Sequence, residues 1–160
     1  MVHDKKKQWL HHVRAAHGYK TLLAEAKEKA TMLEKKIKER SEAKKDEGNS
    51  LYKKQQYKTA LIKYTEAIEL SPCASYYGNR AACYLMLQDP RKAIEDAKAA
   101  ISLDSSFVKG WARLLRCSIL LGLTVTARQA LTQLEDLGGK HEEEKGHVEV
   151  LEKSREDTLL

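Results

Sequence analysis

"YKTALIKYTEAIELSP" (57–72) and "PRKAIEDAKAAISLDS" (90–105) are two versions of one pattern. When they are aligned, Ala60 falls on Ala93 and Ala67 on Ala100, each 33 residues apart. A weaker third copy, "LTVTARQALTQLEDLG" (123–138), places Ala127 34 residues after Ala93. Each copy follows another segment of helical character: "AKKDEGNSLYKK", "SYYGNRAACYLML" and "VKGWARLLRCSILL". The unit is therefore a helix pair of about 34 residues, present three times. A unit this small cannot bury its apolar face alone, so neighbouring units must stack.

The breaks between segments agree with that division. "KKQQ" (53–56) interrupts the first pair. Asp89 before Pro90 reads as an N-cap followed by the first helical residue. Pro72 stops the first repeat, Gly122 ends the first helix of the third pair, and Gly138-Gly139 stops the third repeat. Small residues at Gly48, Ala60, Ala81, Ala93 and Ala127 are expected where two helices cross closely. Tyr64, Trp111 and Leu131 are expected to fill the spaces between them. The segment 141–157 predicts a last helix that covers the third repeat, with Val148, Leu151 and Val150 as its apolar contacts.

Composition supports an all-α chain. Two prolines in 160 residues, 6% aromatics and an abundance of Ala, Leu, Lys and Glu favour helix throughout. No run of eighteen apolar residues is present, so no membrane span is expected. The start lacks the apolar run of a secretory leader. Cys73, Cys83 and Cys117 form no C-x-x-C pair and are expected as free thiols in a reducing, cytoplasmic setting. The net charge of +6 is uneven: residues 1–45 carry 13 Lys/Arg against 6 Asp/Glu, and the remainder is nearly neutral.

The helix-pair pattern resembles the tetratricopeptide repeat. Gly48, Ala60, Tyr64, Ala67 and Pro72 match its consensus in the first copy, and Trp111 matches in the third. The resemblance covers roughly residues 41–136 and implies a right-handed superhelical array whose first helices line a concave face. On those helices Lys45, Asn49, Asn79, Lys109 and Arg113 are polar with no packing reason. Lys45/Asn49 and Lys109/Arg113 are each spaced i, i+4, so each pair shares a helical face. Three cations and two amides facing one groove suit a group with two adjacent carboxylates, such as a C-terminal Asp.

All five positions resemble the carboxylate-clamp subgroup of these repeats, found in co-chaperones. That resemblance implies an adaptor that grips the C-terminal Glu-Glu-Val-Asp of cytosolic heat-shock protein 70 and heat-shock protein 90 class chaperones. It also implies that Tyr52, Ala82 and Leu85 border a pocket for the peptide's valine. Met86 stands where some members carry a lysine.

Residues 1–40 read as a basic helical arm. Trp9, Ala16, Leu23, Ala30 and Ile37 recur every seven residues, as do His12, Tyr19, Ala26 and Leu33. This weak heptad is open to two readings: self-association or partner docking through a coiled coil, or a long helix lying partly on the repeats. The expected division is therefore an arm at 1–40, three repeats at 41–137, and a capping helix and tail at 138–160. His11 and His12 are adjacent and cannot share a helix face, and no other histidine has partners at ligand spacing, so no metal or other cofactor is expected. No phosphate-binding Gly-rich loop, nucleophile elbow or Cys/His pairing is present, which argues against an enzyme. The basic runs are interleaved with Glu, so no nucleic-acid partner is expected.

Overall fold

The computed structural model describes the backbone of residues 2–139 and 141–159, and the side chains of 7, 8, 11, 12, 14–139 and 141–155. Seven helices and no strand make up the described residues: α1 (Val2–Lys53), α2 (Tyr57–Leu70), α3 (Ala74–Met86), α4 (Pro90–Leu103), α5 (Val108–Leu120), α6 (Thr124–Asp136) and α7 (Glu142–Leu159). Contacts divide the chain into two units, 1–39 and 40–160.

The second unit is the stack. The end of α1 packs on α2, α3 on α4, and α5 on α6. Consecutive pairs join through α2–α3 and α4–α5, while α3 also touches α5. First helices of neighbouring pairs therefore lie side by side. Ala60, Ala93 and Ala127 have no exposed surface, nor have Ala67, Ala81 and Ala100. The repeat spacing thus tracks the closest crossings, where a larger side chain has no room. At Gly48 an added Cβ would come within 2.7 Å of the Tyr64 ring. That contact keeps α1 close enough to α2 for the tyrosine to be enclosed.

The turns inside the pairs are built alike. The amides of Gln56, Asp89 and Leu123 bond to the carbonyls of Leu51, Tyr84 and Ser118 at 2.8–3.0 Å. The residue before each donor, Gln55, Gln88 or Gly122, has a positive φ of 60°, 60° or 66°. This six-to-one closure of a helix C-terminus uses a left-handed residue, and α6 ends the same way at Gly138. The next helix of the second pair starts as expected, with the Asp89 carboxylate accepting from the Lys92 amide at 3.1 Å.

Arg80 joins three helices. Its Nε and Nη2 donate to the two carboxylate oxygens of Asp96 at 2.8 and 2.7 Å, and its Nη1 donates to Thr65 at 3.1 Å. Thr65 lies on α2, Arg80 on α3 and Asp96 on α4. The Tyr77 ring stacks beneath the guanidinium, 5.4 Å away.

α7 packs on α5 and α6. Val148 is fully buried and Leu151 half-buried, but Val150 is exposed and makes no core contact. The helical period explains this, because Val150 lies 200° round the helix from Val148. Arg128 of α6 pairs with Glu152 of α7 through both carboxylate oxygens. Trp111 packs on the core only partly buried, and its indole N–H donates to the Ser105 carbonyl at 2.8 Å.

α1 runs without interruption for 52 residues, so the arm and the first repeat helix are one element. Within the first unit the described side chains are exposed except that of Ile37, which is half-buried. Trp9 lies outside the described side chains.

Candidate functional site

The adjacent first helices α1, α3 and α5 bring Asn49, Asn79 and Arg113 to one pocket of about 220 Å³, shared with Tyr52, Lys53, Tyr64 and Ala82. Asn49 organises it. Its Oδ1 accepts from the Tyr64 hydroxyl at 2.8 Å and from Asn79 Nδ2 at 3.1 Å. Burial pushes the Tyr64 phenol far above its ordinary range, so it stays a neutral donor. Two first helices and a tyrosine of α2 thereby hold the two amides against each other.

Arg113 is held differently. One terminal nitrogen donates to the Lys109 carbonyl at 2.9 Å, a bond along its own helix. Its Nε is buried and has no hydrogen-bond partner among the described residues. Burial is also the main force lowering its pKa from the usual arginine value. Tyr52 is raised by burial in turn. A buried guanidinium donor without an acceptor is costly, and an anionic acceptor is what its geometry accommodates.

The other two expected cations lie outside this pocket. Lys45 Nζ bonds to Glu42 Oε2 at 2.5 Å and lies 3.3 Å from Asp46 Oδ1, and the Glu42 bond chiefly raises its pKa. Glu42 is itself held by the Tyr76 hydroxyl, which also meets Ser41. Lys109 is exposed, and its side chain lines neither described cavity of the groove.

Tyr52, Ala82 and Leu85 all line an adjoining cavity of about 660 Å³ that shares Tyr52, Ala82 and Arg113 with the smaller pocket. Met86 and Leu120 extend its apolar wall, while Arg116, Glu143, Glu144 and His147 bring charge and polarity. Sequence reasoning missed Lys53 and Arg116, although their spacing was a usable signal. Lys53 lies four residues after Asn49, and Arg116 three after Arg113, so each extends the same helical face. The contribution of α7 had no such signal, because it depends on how the last helix folds back.

Cys83 and Cys117 are buried, and burial pushes their thiols up to about 12 and about 11. Among the described residues no three His, Cys, Asp or Glu side chains cluster as a metal centre requires. No described helix is long and apolar enough to cross a membrane.

Stacked helix pairs, a polar pocket between their first helices and a closing helix define a tetratricopeptide-repeat domain, and the chain belongs to that family. It is 33% identical to the second such domain of Spaghetti (RPAP3), bound to the HSP90 peptide SRMEEVD, covering 62% of this chain and 94% of that one with a TM-score of 0.61. The second such domain of human RPAP3, in complex with the HSP70 peptide SGPTIEEVD, is 27% identical, with a TM-score of 0.67 over 72% of this chain and 98% of that one. Among curated proteins, DnaJ homolog subfamily C member 7 of Homo sapiens is 38% identical over 109 residues, 68% of this chain. The chain spans about a fifth of the length of that relative. No family profile matches the chain.

Proposed function

We propose that this chain is a co-chaperone adaptor module, residues 41–137 with the closing segment 138–160, that binds the acidic C-terminal tails of heat-shock protein 70 and heat-shock protein 90 class chaperones in the cytosol. The observation that carries this reading is Arg113, a half-buried side chain whose buried Nε lacks an acceptor among the described residues, in a pocket already wired by Asn49 and Asn79. A terminal residue with two carboxylates supplies the acceptors that pocket wants. Lys109 and Lys45 complete the clamp by closing over it from the rim. Lys109 has an exposed side chain for the task, and Lys45 must leave Glu42. Tyr52, Ala82 and Leu85 receive the penultimate apolar side chain. The domain binds rather than catalyses.

Titration with a peptide ending Glu-Glu-Val-Asp, as free acid and as terminal amide, tests this directly. The free acid is expected to bind and the amide to lose most of its affinity; equal binding would sink the proposal. Lys109→Ala is expected to abolish binding with an unchanged thermal melt, and added salt to weaken the wild type.

A second reading rests on the arm. Tyr19, Leu22, Leu23, Met32 and Leu33 are all exposed on it. A chain that self-associates through them would change its solution mass when residues 1–40 are deleted. A monomer with and without the arm rules self-assembly out.

A further inference from the structure

The arm carries an apolar stripe whose borders and back are charged differently. Tyr19, Leu23, Ala26, Ala30, Leu33 and Ile37 continue the two seven-residue series along one face of α1, over about 27 Å of helix. Tyr19, Leu23 and Leu33 are 69%, 44% and 59% exposed, so large apolar side chains stand in water along this face. A contiguous apolar surface of that kind marks a place of contact.

The charges beside it are uneven. In the heptad, Lys20 and Lys27 border the stripe on one side, and Lys29 and Lys36 on the other. Glu34 is the one acid at the bordering positions of these heptads. None of the four lysines makes an ion pair among the described residues. Glu25, Glu28 and Glu39 lie on the opposite face, where Glu39 stands 4.0 Å from Lys35. The back of the helix is therefore balanced within the chain, and the borders of the stripe are not.

We propose that this stripe docks an acidic amphipathic helix of another protein, with apolar residues at the same spacing and Glu or Asp on both its borders. Border charges set the choice of partner where two helices share a seam, and four lysines against one glutamate select an anionic one. The second copy considered above doubles the excess of lysine instead of neutralising it. Ala26 and Ala30 let another helix approach closely, but they offer a bilayer little apolar area. The inference does not rest on the clamp. The free-acid and amide tails report on the groove, and the experiment below reports on the arm, so either can fail alone.

The test uses the full chain and fluorescence anisotropy at low salt with two three-heptad peptides. Both have Leu at the seam positions; one has Glu at all bordering positions and the other Lys. The wild type is expected to bind the Glu peptide about tenfold more tightly than the Lys peptide. Lys20→Glu/Lys27→Glu/Lys29→Glu/Lys36→Glu is expected to reverse that preference. The milder Lys29→Gln/Lys36→Gln is expected to lower it in part, and Leu23→Asp/Leu33→Asp to lose both peptides. Unchanged helical circular dichroism shows that the arm stays folded in each variant. Equal binding of the two peptides by the wild type, or an unchanged preference in the fourfold variant, overturns the inference. A wild-type dimer that Leu23→Asp/Leu33→Asp makes monomeric also overturns it and gives the stripe to a second copy. Binding to vesicles of phosphatidylserine and phosphatidylcholine, with none to the Glu peptide, overturns it in favour of a membrane surface.

Discussion

Two arginines of the repeat unit, Arg80 and Arg113, sit on neighbouring helices and are treated in opposite ways. Arg80 reaches into the joint of α2, α3 and α4, where every polar end of its fork finds an oxygen. The Asp96 bond keeps its charge beyond the usual arginine range. Arg113 faces the groove, its partial desolvation lowers its pKa, and its Nε has no acceptor among the described residues. The first arrangement is complete within the chain. The second is left open within the chain, and in the function proposed above the carboxylates of a bound tail complete it.

The comparison is broken most severely at Arg80. Arg80→Ala strands the Asp96 carboxylate, whose side chain is 7% exposed, inside the joint. Loss of one partner from a buried pair costs about 3–5 kcal/mol, a large part of a small domain's stability. A urea melt is expected to show that loss, and a change below about 1 kcal/mol would mean that Asp96 finds solvent. Arg113→Ala is expected to do the reverse. Stability should stay within about 1 kcal/mol of wild type, because the lost bonds are few and an unsatisfied donor goes with them. Affinity for the free-acid tail should fall by about 2–5 kcal/mol, the range for truncating a desolvated charge partner. If Arg113→Ala unfolds the domain while tail binding survives in the folded fraction, the two arginines are alike after all.

The sequence disclosed the stack more fully than the site. Ala60, Ala93 and Ala127 sit at the tightest crossings, and sterics restrict such positions to small residues, so their spacing is visible in one chain. Asp89-Pro90 was equally plain because a cap and its proline are local. The continuity of α1 was also available: no Gly or Pro lies between Tyr19 and Glu47 to separate arm from repeat. The left-handed Gln55 and Gln88 gave no warning, since glutamine carries no preference for that conformation; Gly122, in the matching turn, did. Arg80 could not be assigned from sequence because its partner is 16 residues away on another helix, and only the packing angle joins them. In the site, residue types at i, i+4 spacing suggested one groove, but spacing along a helix does not tell which of those side chains pair with neighbours in the free protein. Glu42, three residues before Lys45, was the readable sign that this lysine is engaged.

Lys45 falls between the two arginines, and its substitution partner gives the smallest predicted effect. It is paired, as Arg80 is, yet its partner Glu42 has a side chain 41% exposed, so the pair contributes little to stability and separates at little cost. Glu42→Gln keeps an oxygen for the Tyr76 hydroxyl while removing the nearer of the two charges that hold Lys45, Asp46 being the other. Affinity for a free-acid tail is expected to rise about two- to fivefold, with the melt shifted by less than about 1 kcal/mol. The sign does not depend on pH between 6 and 9. Lysine is protonated throughout that window even without Glu42, and the tail's carboxylates are ionised. Below about pH 5 the tail itself begins to protonate and both proteins lose affinity together. If the variant binds more weakly than wild type, Glu42 positions Lys45 for the ligand rather than competing with it, and Lys45 belongs with Arg80 as part of the frame.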